Sequence, residues 1–341
     1  MGKPHLILTA GDPAGIGPEI LLRLAERPPE GCRLSFVVEP RALEPLRGVV
    51  PQAAWEQLEE NDDLALIDPS EGHDWADRAI VPGQPSAGDA HASLAALDLG
   101  VRLVQNGDQD RKGDALVTAP LSKAEIAAHV VPSFRGHTDY LAEQAGLERY
   151  GRDYLMAFLT PKLRVALLST HVPLREALDL VTEKNIGDAV RCLARHTQKT
   201  DRSGAKGASI VVAALDPHAG EGGLLGTDDD AIIRPTVERL RAEGLDVHGP
   251  SSADSLFARA QRGAYDWVLA LYHDQGLIAV KTAAFGDATN WTVGLPYLRT
   301  SVDHGTAYDI AGQGQADASS LFAVVETTRT LIEERRARQG S

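Results

Sequence analysis

The feature that most limits how this chain can fold is the repeated alternation of short apolar runs with longer amphipathic stretches. The short runs have the length of β-strands and lie at 6–8, 34–38, 115–117, 165–168, 209–215 and 267–272. Between several of them lie stretches of helical length and spacing, for example 89–105, 185–197 and 232–243. This alternation predicts an α/β fold with a largely parallel central sheet.

The length of the chain predicts more than one domain. Its 341 residues exceed what one ordinary hydrophobic core holds, so we expect two domains with a cleft between them. Segment 45–88 is rich in Pro, Gly and Asp and gives no assignable pattern, whereas the polar segment 198–206 predicts a surface loop.

Charge and cysteine content narrow the classes of function. With 34 basic and 48 acidic side chains the net charge is −14, which disfavours binding to nucleic acid or to anionic membranes. The two cysteines cannot build a disulfide framework. The apolar start of the chain is too short for a signal peptide, and no apolar run reaches the ~20 residues of a membrane helix. We therefore expect a cytoplasmic protein that binds a small molecule.

Three of the predicted strands, the last three of those above, run into a histidine: His171, His218 and His273. Carboxyl ends of parallel strands share one edge of a sheet, where ligands bind, so the three imidazoles could converge there. Three histidines with an open fourth position are typical of a catalytic divalent metal site, and Asp274 or Asp303 could orient the rings. Ordinary turns and hydrogen-bonding histidines explain the same pattern, and both interpretations stay open at this point.

Two segments have features of anion-binding sites. In "GHTDYLAEQ" (136–144) a helix is expected to begin near His137 and Thr138, and unpaired N–H groups at such an end attract phosphate or carboxylate. Lys281, Asn290 and Arg299 follow the last predicted strand and suit an anionic substrate. Plain helix capping and solvated surface charge remain the alternatives.

A glycine loop follows the first predicted strand in "LTAGDPAGIGPEI" (8–20), and Pro18 fits the first turn of the next helix. Its glycines would permit close approach of the backbone to a ligand. The spacing is not that of the Rossmann dinucleotide fingerprint, which occurs nowhere else in the chain.

Six ordered motifs together resemble the 4-hydroxythreonine-4-phosphate dehydrogenase family of pyridoxal phosphate biosynthesis. They are "GDPAGIGPE", "GHTDYLAE", "STHVPLRE", "DPHAGEGG", "YHDQG" and "LRTSVDHGTAYDIAGQG", within a match that spans roughly residues 5–320. The last motif is also similar to the cofactor loop of isopropylmalate and isocitrate dehydrogenases. The resemblance implies a two-domain α/β/α, non-Rossmann fold with the active site in the interdomain cleft.

The resemblance also implies domains, cofactors and residue roles. The cofactor-side domain would be 1–128 with 286–341, and the metal, substrate and dimerisation domain would be 129–285. NAD or NADP would bind at Gly11, Asp12, Gly15, His304, Gly305, Asp309 and Gly312. One divalent metal (Zn, Mg, Mn or Co) would be ligated by His171, His218 and His273, with the set completed across a homodimer interface. The substrate would contact His137, Thr138, Lys281, Asn290 and Arg299, and Lys281 and Asp303 are the candidates for the catalytic base.

The implied reaction is oxidation of a secondary alcohol by hydride transfer to NAD(P)⁺. With 4-phosphooxy-L-threonine the product is a 3-oxo acid that decarboxylates to 3-amino-2-oxopropyl phosphate, helped by the metal. Relatives oxidise the four-carbon sugar-acid phosphates threonate or erythronate 4-phosphate, or cis-dihydrodiols of aromatic acids. A phosphate-acyl transferase, or an inactive metal- and phosphate-binding module, is the alternative from a different class.

Two departures from the usual family pattern bear on substrate choice. The segment "FGDATNWTVGLP" carries Asp287, Ala288, Thr289 and Trp291 at unusual positions, and Ser122 stands where an Asn is usual. Substrate identity therefore stays open between 4-phosphooxy-L-threonine and the substrates of the relatives.

Overall fold

The computed structural model describes residues 2–107, 112–197, 207–284 and 286–339, with side chains up to 337. The surface loop predicted at 198–206 lies outside these residues. The chain divides into two compact units: the first is Met1–Tyr140 with Tyr297–Ser341, and the second is Leu141–Pro296.

Each predicted strand and helix overlaps one that is observed, and the remainder of the described chain adds further elements. The strands are β1 His5–Thr9, β2 Arg33–Val37, β3 Leu64–Ile67, β4 Ala115–Thr118, β5 Leu155–Leu159, β6 Arg164–Leu167, β7 Ile210–Ala213, β8 Val247–Ser251, β9 Trp267–Ala270, β10 Thr289–Val293 and β11 Leu298–Ser301. The α-helices are α1 Gly17–Glu26, α2 Pro40–Leu43, α3 Gln52–Glu60, α4 Ala87–Asn106, α5 Lys123–His129, α6 His137–Gln144, α7 Leu174–Asp179, α8 Glu183–His196, α9 Arg234–Ala242, α10 Ala253–Gln261, α11 His273–Ala283 and α12 Ser319–Gln339.

The first unit is built on five parallel strands in the order β3-β2-β1-β4-β11. The central strand β1 is buried along its whole length, as expected for a parallel sheet covered by helices on both faces. The loops that follow β1, β4 and β11 therefore leave the sheet side by side at one edge.

The strands of the second unit follow the order β10-β5-β6-β9-β7-β8. Strands β6, β9, β7 and β8 are parallel, whereas β5 runs antiparallel to both β10 and β6. The exits of β6, β9 and β7 are consequently neighbours. The predicted α/β fold with a largely parallel sheet is confirmed.

Local sequence signals explain where several helices begin. Pro18 lies in the first turn of α1, as predicted. Before α4, Ser86 Oγ accepts the Asp89 N–H at 3.3 Å and Asp89 Oδ2 accepts the Ser86 N–H at 2.9 Å, which is a reciprocal capping box. Before α5, Ser122 Oγ accepts the Glu125 N–H at 3.2 Å. No helix among the described residues combines the length and the apolar character needed to cross a lipid bilayer.

Candidate active site

Two of the predicted metal ligands meet at one edge of the second unit's sheet. His171 follows β6, and His273 opens α11 just beyond β9, the parallel neighbour of β6. The centroids of the two imidazole rings lie 5.6 Å apart. His273 Nδ1 is 2.7 Å from Asp274 Oδ1, a carboxylate contact of the kind that orients metal-binding rings. His273 therefore contacts Asp274, one of the two carboxylates that the sequence offered for orienting the rings.

The turn that follows β9 is fixed by Gln275 and Gly276. Gln275 Oε1 accepts the Leu271 N–H at 2.7 Å, and its Nε2 donates to the Ala214 carbonyl at 2.9 Å, just beyond β7. A Cβ on Gly276 would lie 2.7 Å from Leu167 Cδ2 and 3.1 Å from Ala270 Cβ, so glycine allows α11 to pack closely onto β6 and β9. The two bonds of Gln275 hold the exits of β9 and β7 together.

His218 lies on a turn of unusual backbone conformation. The five residues 218–222 all have positive φ, between 43° and 75°, although the left-handed region is unfavourable for residues other than glycine. The buried carboxylate of Asp229 supports this turn by accepting the Leu215 N–H at 3.0 Å and the Asp216 N–H at 2.8 Å. The loop that presents His218 is thus held by side-chain hydrogen bonds.

The third histidine is not gathered with the other two. Across residues 2–107, 112–197, 207–284 and 286–339 of one chain, no group of three or more His, Cys, Asp or Glu side chains could hold a metal ion. His171 and His273 are paired within the second unit, whereas His218 stands exposed on its own turn.

The first unit contains a group of cationic and polar side chains in which Arg299 is buried, His137 is half-buried and Lys123 is exposed. Arg299 on β11 is 1% exposed, and its Nη2 donates to Thr118 Oγ1 at 2.6 Å, at the end of β4. His137 is the first residue of α6, and Lys123 is the first residue of α5. Gly136, with φ of 138°, lies so close to Lys123 that a Cβ would be 2.9 Å from its Cε. We call Lys123, His137 and Arg299 the cationic cluster.

Burial dominates the electrostatics of this cluster. It lowers the pKa of Arg299 to about 10, and burial with the positive charges of Arg299 and Lys123 holds the pKa of His137 well below its usual range. Burial also raises the pKa of the neighbouring Tyr297 to about 12. Among the described residues, neither the buried His137 Nε2 nor the buried Tyr297 hydroxyl has a hydrogen-bond partner. The arrangement is suited to an anion that accepts hydrogen bonds.

The residues predicted to bind the cofactor lie on two loops of the first unit, after β1 and after β11. The carboxylate of Asp12 is 1% exposed and accepts hydrogen bonds from Tyr308 Oη at 2.6 Å and from the Ala14 N–H at 2.9 Å. Burial raises the pKa of Asp12. The other predicted cofactor residues on these loops are Gly11, Gly15, His304, Gly305, Asp309 and Gly312.

The remaining predicted residues have different surroundings. Thr138 is the second residue of α6, Lys281 lies exposed near the end of α11, and Asp303 lies half-buried after β11. Asn290 lies on β10, and its Oδ1 is buried without a hydrogen-bond partner among the described residues.

Sequence reasoning missed Lys123, Tyr297 and Tyr308. Lys123 could have been found, because it follows β4 at the same sheet edge as the predicted residues that follow β1 and β11. Tyr297 and Tyr308 carried no signal apart from their place beside predicted residues.

The unusual segment near β10 contributes mainly to the core of the second unit. Ala288, Thr289 and Trp291 are 5%, 0% and 7% exposed, and the Trp291 ring packs against Trp267 with centroids 5.9 Å apart. Asp287 is exposed. Packing therefore accommodates Ala288 and Trp291, whereas the buried Thr289 Oγ1 has no hydrogen-bond partner among the described residues.

Comparison with known proteins shows similarity along nearly the whole chain. A family model described as "Pyridoxal phosphate biosynthetic protein PdxA" matches residues 32–328. A 4-hydroxythreonine-4-phosphate dehydrogenase of Geobacter metallireducens is 39% identical over 334 residues, which cover 95% of this chain and 94% of the relative.

Two solved structures share the fold. The 4-hydroxythreonine-4-phosphate dehydrogenase of Klebsiella pneumoniae gives a TM-score of 0.81 at 32% identity, with coverage of 97% of this chain and 100% of its own. A terephthalate 1,2-cis-dihydrodioldehydrogenase of Burkholderia xenovorans LB400 gives 0.63 at 28% identity, with coverage of 96% and 98%. Of these two, the Klebsiella structure is more similar to this chain in both TM-score and sequence identity.

Proposed function

This chain belongs to the family of the pyridoxal phosphate biosynthetic protein PdxA, and from that membership we propose that it oxidises 4-phosphooxy-L-threonine in a metal-dependent reaction. It is an oxidoreductase that acts on a CH–OH group with NAD or NADP. The hydroxyl-bearing carbon gives a hydride to the nicotinamide ring and the hydroxyl gives its proton to a base. The resulting 3-oxo acid loses carbon dioxide and leaves 3-amino-2-oxopropyl phosphate.

The observation that carries the choice of substrate is the cationic cluster of the first unit. Lys123 and Arg299 both lie close enough to His137 to depress its pKa, so two cations and a histidine able to hydrogen-bond lie near one another. A phosphate group offers such a cluster negative charge together with several acceptor oxygens. We assign the phosphate end of the substrate to this cluster and to Thr138, with Lys281 and Asn290 as further substrate contacts.

The chain's own residues bind the substrate and accept a proton. Arg299 presents a guanidinium whose position is fixed by its bond to Thr118. His137 is kept neutral by its surroundings, so its buried Nε2 can hydrogen-bond the substrate without adding a third positive charge. The proton of the reacting hydroxyl goes to Lys281 or Asp303, between which the choice stays open.

The metal is assigned to His171, His218 and His273. Imidazole donors at the carboxyl ends of strands suit a divalent Zn, Mg, Mn or Co ion, and the paired rings of His171 and His273 give two of the three ligands. When bound, the ion supplies a Lewis acid that polarises the reacting oxygen of the substrate. We propose that a second copy of the chain completes the ligand set.

Exposed apolar side chains support a homodimer at this edge. Large apolar residues follow each histidine along the chain, and Leu174, Leu224 and Ile278 are 57%, 78% and 67% exposed. We propose that a second copy of the chain covers these exposed apolar side chains. A second copy that covers them would also bring its own histidines to the site, so we propose active sites shared across the interface.

The cofactor is assigned to the first unit, at Gly11, Asp12, Gly15, His304, Gly305, Asp309 and Gly312. We propose that the domain expected at 1–128 with 286–341 carries the cofactor, and that the domain expected at 129–285 carries the metal ligands and the dimer interface. NAD(P) supplies the hydride acceptor when bound.

A dihydrodiol dehydrogenase is the second candidate, because the Burkholderia relative with that name covers 96% of this chain. A sugar-acid phosphate is the third, because it would satisfy the same cationic cluster. The test is NADH or NADPH formation by the purified protein with 4-phosphooxy-L-threonine, threonate 4-phosphate, erythronate 4-phosphate and an aromatic-acid cis-dihydrodiol, each assayed side by side.

Each assay is run on the chelator-treated protein before and after addition of zinc, magnesium, manganese or cobalt. We expect metal-dependent turnover of 4-phosphooxy-L-threonine, and a loss of at least about tenfold in kcat/KM for Arg299→Met, since a hydrogen bond to a charged group contributes about 1.5–3 kcal/mol. Turnover of the unphosphorylated diol alone would contradict the phosphate assignment, and absence of NAD(P)H binding would contradict the enzyme class.

A further inference from the structure

Three loops of the first unit meet beyond the carboxyl ends of neighbouring parallel strands. We call them the β1 loop (10–16), the β4 loop (119–122) and the β11 loop (302–312). The strand order β1-β4-β11 makes them neighbours. The predicted cofactor residues lie on the first and the third of these loops.

The backbones of the three loops are bonded to one another. The Asp12 N–H donates to the Pro120 carbonyl at 2.9 Å, and the Ile16 N–H donates to the Thr306 carbonyl at 2.9 Å. A Cβ on Gly11 would lie 1.9 Å from the Pro120 carbonyl oxygen. Glycine is therefore required at position 11 by the contact between loops.

The side chain of Tyr308 joins the β11 loop to the β1 loop. Its Oη donates to Asp12 Oδ2 at 2.6 Å. Asp12 Oδ1 also accepts the Ala14 N–H at 2.9 Å, and the Asp12 N–H is the group that bonds the β4 loop. Because an ionised carboxylate can only accept, Tyr308 is the donor in its bond to Asp12.

The residue before Tyr308 shows why this restraint matters. Ala307 has a φ of 44°, in the left-handed region that residues other than glycine rarely adopt. Such a conformation persists only where surrounding contacts over-determine it, and it is common at ligand-binding loops. The hydrogen bond of Tyr308 is one such contact, and it restrains the peptide next to Ala307.

We infer that Tyr308 is a positioning residue for the dinucleotide, and that its bond to Asp12 holds the β11 loop in the conformation that binds NAD(P). The inference rests on the proposed function, which assigns His304, Gly305, Asp309 and Gly312 of this loop to the cofactor. Asp12, with its carboxylate buried and bonded to Tyr308, then acts on the cofactor through the loop.

The test is fluorescence titration of the full-length, metal-loaded protein with NADH and NADPH, followed by steady-state kinetics. Tyr308→Phe keeps the ring and removes the hydroxyl. We expect its dissociation constant for the reduced cofactor, and its KM for the oxidised cofactor, to rise about tenfold, the order of one lost hydrogen bond to a charged acceptor. Metal content and the KM for the phosphorylated substrate should not change.

Tyr150→Phe is the matched control, since Tyr150 donates an equally short bond of 2.7 Å to the Leu167 carbonyl in the second unit. It should lower stability without changing cofactor affinity. If Tyr308→Phe does not fold, Asp12→Asn tests the same hydrogen bond and should weaken cofactor binding in the same direction. In the double variant, Asp12→Asn should add little to Tyr308→Phe, because Asp12 acts through that hydroxyl.

The outcomes separate this inference from the proposed function. Wild-type protein that binds NADH, together with a Tyr308→Phe protein that binds it equally well, would overturn the inference and leave the function intact. An equal loss of affinity in Tyr150→Phe would also overturn it, because the effect would then be one of general stability. Failure of the wild-type protein to bind either reduced cofactor would overturn both.

Discussion

At the scale of single residues, the candidate site depends on buried groups whose protonation is set by their surroundings. His137 is the clearest case, because burial and two nearby cations all disfavour its charged form. A neutral imidazole can donate or accept a hydrogen bond at its buried Nε2, according to its tautomer. The same shift makes His137 a source of acid sensitivity for the folded protein.

His137→Asn should make the protein less sensitive to acid. The pKa of His137 lies well below 6.5 in the folded protein, so as pH falls below 6.5 the unfolded chain binds a proton that the folded chain does not. The folded state therefore loses stability in that window, and the variant lacks this loss. Urea unfolding at about pH 7.5 and about pH 5.5, on either side of the ordinary histidine pKa, measures the difference.

His91→Asn is the control for this measurement, because His91 is exposed on α4. His5, whose pKa is also lowered by burial, is present in all three proteins and cancels in the comparison. An equal drop in the free energy of unfolding for wild type and His137→Asn would contradict the assignment.

At the scale of secondary-structure elements, the sequence was sufficient to locate the strand exits that carry the site. Short apolar runs followed by polar residues predicted β6, β7 and β9 and the histidines beyond them. The sequence pattern was not sufficient to predict that His218 leaves its strand on a left-handed turn, because three of the residues 218–222 are not glycine. The pattern also did not predict contacts between residues that are far apart in the sequence. Tyr308 and Asp12 are an example, because the strand order brings them together.

Asp229→Ala should weaken metal retention, if the proposed metal site is correct. The variant leaves the N–H groups of Leu215 and Asp216 without their acceptor, at about 1–3 kcal/mol each, and so loosens the turn that presents His218. Loss of such supporting contacts typically lowers metal affinity about 10- to 100-fold. Chelator competition with the zinc-loaded protein measures the effect.

Asp230→Ala is the matched control, because Asp230 is the next residue in the chain and its carboxylate bonds Arg234 near the surface. Asp229→Asn, which keeps one acceptor oxygen, should recover part of the metal affinity. Unchanged affinity in Asp229→Ala would show that the turn does not position His218.

A second element-scale prediction concerns the segment that leads into α4. Arg78 bonds Glu39 at 2.7 Å and Asp89 at 2.8 Å, and the carboxylate side chains are 2% and 0% exposed. Arg78→Met leaves two buried carboxylates without their cation and should lower the free energy of unfolding by about 3–5 kcal/mol. Urea unfolding followed by tryptophan fluorescence checks this, since Trp55 and Trp75 both lie in the first unit.

Lys3→Met provides the comparison for Arg78→Met. Lys3 pairs with Asp63, and the two side chains are 53% and 34% exposed, so its loss should change stability by at most about 1 kcal/mol. A similarly small change in the free energy of unfolding for Arg78→Met would contradict the prediction. It would mean that the buried carboxylates become protonated or hydrated at little cost.

At the scale of the whole molecule, we propose that two chains together complete the metal site. Within the described part of one chain, His171 and His273 are paired while His218 is not grouped with them. The apolar side chains beside all three histidines are exposed in a single copy. We propose that His171 and His273 of one chain form a site with His218 of the other, an arrangement that would account for both observations.

Mixed dimers test this arrangement directly. In a dimer of one His171→Ala chain and one His218→Ala chain, one site loses two ligands and the other keeps all three. Since half of the dimers in a random mixture are of this kind, co-expression should restore about a quarter of wild-type activity, although each variant is inactive when expressed separately. A mixture of His171→Ala with His273→Ala is the matched control. Those two ligands belong to the same chain's half-site, so both sites of that mixed dimer are damaged and no activity should return. Recovery in the control, or none in the first mixture, would contradict this ligand arrangement.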